Sequence, residues 1–261
     1  MRLFIFTLIF CGLAACQPSA TSSNSSSSEA PVAAYQAPSH HVALLTSVFD
    51  AHGGYEQWSS MKTLSYSKGE EETITNLENR KIRVSDADRT IGFDGNEVWI
   101  SPDTLDASRA RFYHNLYFYF YAMPFVVGDP GAFYEEVPSR EIQGKTYRGI
   151  KISYREGVGD ASDDNYILWV DPETYQMEWL MYTVTYRSQE PSDDYRLIKY
   201  DGWQTFNGVK LPTSLQWYNF DGETVGDPRG DGTRFEDVQL AKEAPADSLF
   251  DMPSNAIVAP R

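Results

Sequence analysis

Residues 105–131 read LDASRARFYHNLYFYFYAMPFVVGDPG, the most unusual stretch of the chain. Positions 105 to 123 read as one helix ended by Pro124, with Phe112, Leu116, Tyr119 or Phe120, and Met123 along one stripe. Tyr113, Tyr117, Phe118 and Tyr121 fill the rest of the circumference. A helix that is apolar on all sides has to be covered on all sides, and one sheet covers a single face. A second layer is therefore expected across from the first.

The sequence on either side has the period of strands. Before the aromatic helix, Leu64 and Tyr66, Ile82 and Val84, Ile91 and Phe93, and Val98 and Ile100 stand on alternate positions between turn residues such as Asp94-Gly95. This pattern predicts an antiparallel meander. A second block follows residue 132, punctuated by Gln143-Gly144, Asp171-Pro172, Asp201-Gly202, Asn207-Gly208 and Asp221-Gly222. Ile150, Ile152 and Tyr154 form one face there, and Tyr166, Leu168 and Val170 another. In 176–186, QMEWLMYTVTY, the residues Met177, Trp179 and Met181 alternate with Leu180, Tyr182 and Val184, so both faces are apolar. A sheet with one wet face has no need of that. At the start of the domain Val42, Leu45, Val48 and Phe49 fall near helical spacing, and Gly53-Gly54 supplies the stop.

Residues 3–16, LFIFTLIFCGLAAC, are an apolar run too short to span a bilayer, with the layout of a secretory signal. Its end, Leu13-Ala14-Ala15-Cys16, resembles the lipobox of bacterial lipoproteins, which implies cleavage before Cys16 and lipidation of its thiol. Several acyl chains on one residue hold a protein to a membrane, each buried methylene contributing about 0.8 kcal/mol. Gln17 follows, where an Asp would argue for inner-membrane retention, so the expected address is the outer membrane; the residues leave its face open, and the periplasmic side is the expected placement of the domain. Residues 16–39 are then a lipidated, Ser-rich tether too poor in large aliphatics to fold, with a reach of about 25 Å. Residues 40–261 form one domain.

Composition narrows the chemistry. The chain carries 22 Lys and Arg against 37 Asp and Glu, a net charge of −15. Such a surface repels phosphate backbones, which excludes nucleic acid as a natural partner. Of two cysteines, Cys11 leaves with the signal and Cys16 takes the lipid, leaving no disulfide, cysteine nucleophile or thiolate metal site. His40 and His41 sit at the tether edge, His52 reads as the cap of a helix end, and His114 on the aromatic helix lacks a partner at ligand spacing. No G-x-S-x-G, H-E-x-x-H or phosphate-binding glycine loop is present, and no cofactor or metal is expected. Asp160, Asp163 with Asp164, Asp193 with Asp194, and Asp227 with Asp231 read as solvated turns. The alternative is a carboxylate- or calcium-dependent hydrolase, which requires two or more of them to converge.

The lipobox, the tether, HGGYEQW (52–58), YILWVDPETYQMEWLMY (166–182) and YRLIKYDGWQTFNGVKLPTSLQWYN (195–219) resemble an uncharacterised group of bacterial lipoproteins similar to the LolA/LolB-like superfamily of lipid and lipoprotein carriers. The resemblance implies a mainly β (α+β) fold, an open antiparallel half-barrel with a helical lid over a hydrophobic cavity. No defined functional motif of the carriers matches a position here.

Two readings of the aromatics therefore stand side by side. They form a solid core, or they line a cavity for a lipid or lipoprotein acyl chain, with Phe112, Leu116, Tyr117, Phe120, Tyr121, Phe125, Trp179 and Trp217 as ligand contacts. A dry core would have to satisfy each tyrosine hydroxyl, which favours the cavity. The expected protein is a monomeric, membrane-anchored binder and not an enzyme. A module that stacks exposed Trp179, Trp203 and Trp217 on sugars or a partner is the third possibility.

Overall fold

The period-two stretches become strands. The computed structural model describes residues 42–154, 163–186, 188 and 190–260, all within a unit spanning Ala37–Arg261. The readings of the signal, Cys16, the tether, His40, His41 and Asp160 lie outside the described residues.

The predicted meander is β1 (Thr63–Lys68), β2 (Glu71–Asn76), β3 (Ile82–Ser85), β4 (Thr90–Phe93) and β5 (Val98–Ser101). The edges of this sheet are completed by β15 (Glu236–Ala241) beside β1 and β16 (Ile257–Val258) beside β5. Strand β2 carries no apolar alternation, because the residues it buries, Glu71, Thr73 and Thr75, are polar. The second sheet runs β14 (Val225–Arg234), β13 (Ser214–Phe220), β10 (Arg196–Asp201), β9 (Met177–Tyr182), β8 (Tyr166–Val170), β7 (Lys145–Tyr154) and β6 (Ala132–Ile142). All pairings in both sheets are antiparallel. The chain passes from β14 to β15 through one buried residue, Phe235, so consecutive strands belong to different sheets. The fold is mainly β and is not closed into a barrel.

One large core fills the space between the sheets, drawing Leu64, Ile82 and Val84 from the first and Ile150, Leu168 and Ile198 from the second. Helices occupy this space. Helix α1 (Ala43–Ala51) buries Leu44, Leu45, Val48 and Phe49 and ends at His52, as the sequence predicts. A short α2 (Tyr55–Ser59) follows, set by Gly53 and Gly54 at φ +103° and +92°. Gly53 is obligatory here. A Cβ on it would stand 2.0 Å from the Gly208 carbonyl oxygen in the hairpin of β11 (Gln204–Phe206) and β12 (Val209–Leu211), where the His52 carbonyl accepts the Lys210 N–H.

The aromatic segment departs from its predicted form. The single helix over 105–123 is three short ones, α3 (Ala110–Tyr113), α4 (Leu116–Tyr121) and α5 (Met123–Val126). The breaks fall at Asn115 (φ −120°, ψ 0°) and Ala122 (φ −93°, ψ 15°), outside the helical region. Pro124 does not end a helix; it opens α5, where a missing N–H costs nothing. The segment is covered as its composition demands: Phe118, Phe120, Tyr121, Phe125 and Val126 are all buried, and Tyr119 alone is exposed among the aromatics of α4.

The two-faced strand β9 serves two cores. Leu180 and Tyr182 face inward, while Trp179 and Met181 join Trp169, Tyr147 and Leu197 in a second cluster on the opposite face of the sheet. Met177 belongs with the inner core, against its predicted face, because pairing slips by one residue between Trp169↔Trp179 and Val170↔Met177. The outer cluster is closed by Arg140 of β6. Its Nη2 donates to the carbonyls of Gly222 and Glu223 (2.6 and 3.0 Å), and its guanidinium lies 5.2 Å from the Phe220 ring. Strand β6 and the β13–β14 turn lie at opposite edges of the sheet, so this bridge means that the sheet curls back over its outer face.

Candidate functional site

Between the first sheet and the ends of β7 and β8, beneath α3 to α5, lies a cavity of about 480 Å³. That is within the range of small-molecule sites. Its floor is Ile82, Phe93 and Val98 of the first sheet. The helices supply Phe112, Leu116, Phe118, Phe120, Met123 and Val126. Phe112, Leu116 and Phe120, three of the residues expected from sequence as ligand contacts, are therefore brought together.

The other five lie elsewhere. Tyr121 is fully buried between Tyr66 and Phe235, at ring separations of 4.8 and 4.2 Å. Phe125 is equally buried, stacked on Trp58 at 4.8 Å. Both thicken the core, as the solid-core reading holds for them. Trp179 is on the far face of its sheet, among the outer cluster. Tyr117 lies under the Lys68 ammonium (4.3 Å), and half-buried Trp217 donates its indole N–H to the Tyr182 hydroxyl (2.9 Å). Neither reaches the cavity. Trp203 is half-buried and Trp179 buried, so the tryptophans do not form the exposed stacking surface of the third possibility.

The tyrosine argument holds unevenly. Tyr113 donates to the Glu71 carboxylate (2.8 Å), yet the Tyr121 hydroxyl is buried without a hydrogen-bond partner among the described residues. Burial pushes the Tyr121 pKa well above its ordinary value.

The cavity also has a polar side that sequence reasoning missed. Arg80, in the β2–β3 turn, reaches Asp129 after α5, and its Nη2 lies 2.6 and 2.7 Å from the two carboxylate oxygens. Arg80 holds a left-handed backbone (φ +62°), and its guanidinium sits 5.3 Å from the Phe118 ring. Asp164 lines the opposite wall with Tyr154 and Tyr166. It is buried, not a solvated turn residue, and one oxygen accepts from the backbone and hydroxyl of Thr185 (2.6 and 2.8 Å). Burial raises the pKa of both Asp129 and Asp164, outweighing the Arg80 charge at the first and the Thr185 hydrogen bonds at the second. Burial likewise lifts Tyr154 and Tyr166.

Asp227 and Asp231 are exposed within strand β14, a correction to the turn reading, and Asp193 and Asp194 are exposed before β10. Among the described residues no group of three or more His, Cys, Asp or Glu side chains is placed to hold a metal. His52 caps α1, its Nδ1 against the Val48 carbonyl (2.7 Å). No helix among the described residues is long and apolar enough to cross a membrane.

Residues 94–206 match the model of a family of unknown function, DUF6503. No curated protein matches the chain. Among solved structures, the chain is similar to a LolA superfamily protein from Nitrosomonas europaea, with 10% identity and a TM-score of 0.46, covering 73% of this chain and 87% of that one. A DUF1329 family protein from Desulfovibrio piger gives 10% identity and a TM-score of 0.43, over 79% and 97%. A putative outer membrane lipoprotein-sorting protein domain from Vibrio parahaemolyticus gives 5% identity and 0.39, over 74% and 92%.

Proposed function

We propose that this chain is a lipid-anchored binder of an acyl chain or similar hydrophobic ligand, held in the cavity between its two sheets. The observation that carries the reading is the mostly apolar space of about 480 Å³ under the aromatic helices, walled by buried Ile82, Phe118, Phe120 and Met123 and by half-buried Phe112 and Leu116. Apolar burial drives such binding at about 25 cal/mol per Å², before the costs of association. Phe112, Leu116 and Phe120 would contact the ligand, joined by Phe118 and Met123. The protein acts by burial and not by bond chemistry. Cys16 would carry the anchor at the outer membrane, with the domain on the periplasmic side, in lipid or lipoprotein transport.

The test is to extract the purified chain and analyse co-purifying lipids by mass spectrometry, then to titrate a fluorescent fatty acid into the delipidated protein. Bound lipid, or saturable uptake of the probe, is expected. A clean apo protein that takes up no probe would sink the reading.

A further inference from the structure

The aromatic side chains around the cavity set how much hydrocarbon it can take. A methylene group fills much the same volume as a water molecule, about 30 Å³. The space of about 480 Å³ therefore accepts about sixteen such groups when filled without gaps, the content of one long acyl chain. A diacyl lipid would need about twice that room, and a triacyl anchor about three times.

The walls hold the space to that size. Toward the second sheet, buried Phe120 packs edge-on to Tyr182 and Trp217, at ring separations of 4.9 and 5.9 Å. Its carbonyl accepts the Tyr200 hydroxyl, so the helix that carries it is pinned to β10. Elsewhere in the same core, where a hollow shell would take further chains, Tyr121 and Phe125 stand fully buried. Tyr121 fits between Tyr66 and Phe235, and Phe125 lies flat on Trp58. The Arg80–Asp129 pair closes the β2–β3 end. A second chain would have to drive close-packed rings from their places, and interiors of this density resist such overfilling.

Resting on the acyl-binding reading above, we infer that the cavity admits one acyl chain and no more, so that its ligand is a single-chain lipid and the triacylated cysteine of a lipoprotein is excluded. Tyr121 and Phe125, expected from sequence as ligand contacts, act instead as the filling that sets this capacity. The transport reading narrows accordingly from lipoproteins to free lipids.

Native mass spectrometry of the full delipidated chain, saturated with palmitic acid, reads the capacity directly. Leu116→Trp, which fills the hollow, serves as the control for lipid held on the surface. One palmitate per chain above the number held by that variant is expected. Displacement of a fluorescent fatty acid then compares a cysteinyl-seryl-tetralysine peptide carrying one palmitoyl chain with the same peptide carrying three. The single-chain peptide should displace the probe at least about ten-fold more tightly, the penalty of overfilling a packed site. Palmitic acid and 1-monopalmitoylglycerol, with one chain each, should both displace it, and the tighter of the two tells a free acid from a monoacyl ester as the source. Two or more palmitates above the control, or equal displacement by the two peptides, overturns the one-chain limit and leaves acyl binding intact. If neither palmitate nor the fluorescent probe binds, the acyl-binding reading itself fails and this inference falls with it.

Discussion

Arg80 holds Asp129 through a single nitrogen, Nη2, which reaches both carboxylate oxygens. The pair joins the β2–β3 turn to the chain leaving α5, and so closes one end of the cavity. Each side chain keeps about a quarter to a third of its surface in solvent, which weakens the interaction below that of a fully buried pair. Arg80→Met is expected to cost about 1–2 kcal/mol, because Asp129 is left half-buried and unpaired. Asp129→Asn in the Arg80→Met background should restore part of that loss. A double-mutant cycle from urea unfolding measures the coupling, and strict additivity would refute a cooperative pair.

The same cavity is fixed from the other sheet. Tyr200 of β10 is buried, and its hydroxyl donates to the Phe120 carbonyl of α4 at 2.8 Å. That bond ties a short helix, too short to persist alone, to a strand that paired neighbours hold on both sides. Tyr200→Phe leaves a buried carbonyl without this donor and should destabilise by about 1–3 kcal/mol. The loss should appear locally as well. Faster amide hydrogen exchange over residues 116–126, with β10 unchanged, is the expected pattern, and uniform acceleration would argue against a local tie.

How far the sequence carries this structure depends on where a residue's partners lie. Ile82 and Val84 alternate with half-buried residues because β3 buries one apolar face, and that signal is local. Strand β2 was invisible because Glu71, Thr73 and Thr75 are polar residues turned inward, satisfied by distant groups such as Tyr113 or not at all. In 105–123 the helical period survives through Asn115 and Ala122, which leave helical geometry for tertiary reasons that no residue type announces. Period two shows that β9 has two apolar faces without saying which is inside; Trp179, expected from sequence at the ligand, belongs to the outer cluster. Of the lining of the candidate cavity, Phe112, Leu116 and Phe120 are legible in the sequence. Its polar half, Arg80 with Asp129, joins residues far apart in the chain that carry no motif.

His52 makes stability depend on acidity. Its ring is buried between Phe125 and Trp203, at 6.4 and 4.6 Å, and its Nε2 has no hydrogen-bond partner among the described residues. Burial pushes its pKa down to about 4 from 6.5, against the opposing effect of the hydrogen bond to Val48. The unfolded chain therefore binds this proton first. Stability is intact above about pH 6.5, declines as pH falls, and has lost the whole contribution below about pH 4, on the order of 3 kcal/mol. Asp129 and Asp164 act in the opposite sense. Their raised values favour the fold below the unfolded carboxylate pKa, an advantage lost as pH rises through the folded one. Urea midpoints across pH 4 to 6.5 should fall toward the acid end in the native chain and flatten in His52→Gln. A slope that survives the substitution would assign it to other groups.

Filling and emptying the two cores separates binding from stability. Leu116 is half-buried on the cavity wall, so Leu116→Trp should occupy the hollow with an indole at a cost within about 1 kcal/mol, since open space receives it. Uptake of a fluorescent fatty acid should drop at least ten-fold. Trp179→Phe empties part of the outer cluster instead, where Trp179 packs edge-on to Tyr218 at 5.2 Å beneath the Lys199 ammonium. That variant should lose about 1–2 kcal/mol of stability and bind the probe as the native chain does. If Trp179→Phe abolishes uptake while Leu116→Trp leaves it untouched, the ligand lies on the outer face of the second sheet, and the space beneath the aromatic helices is merely a packing defect.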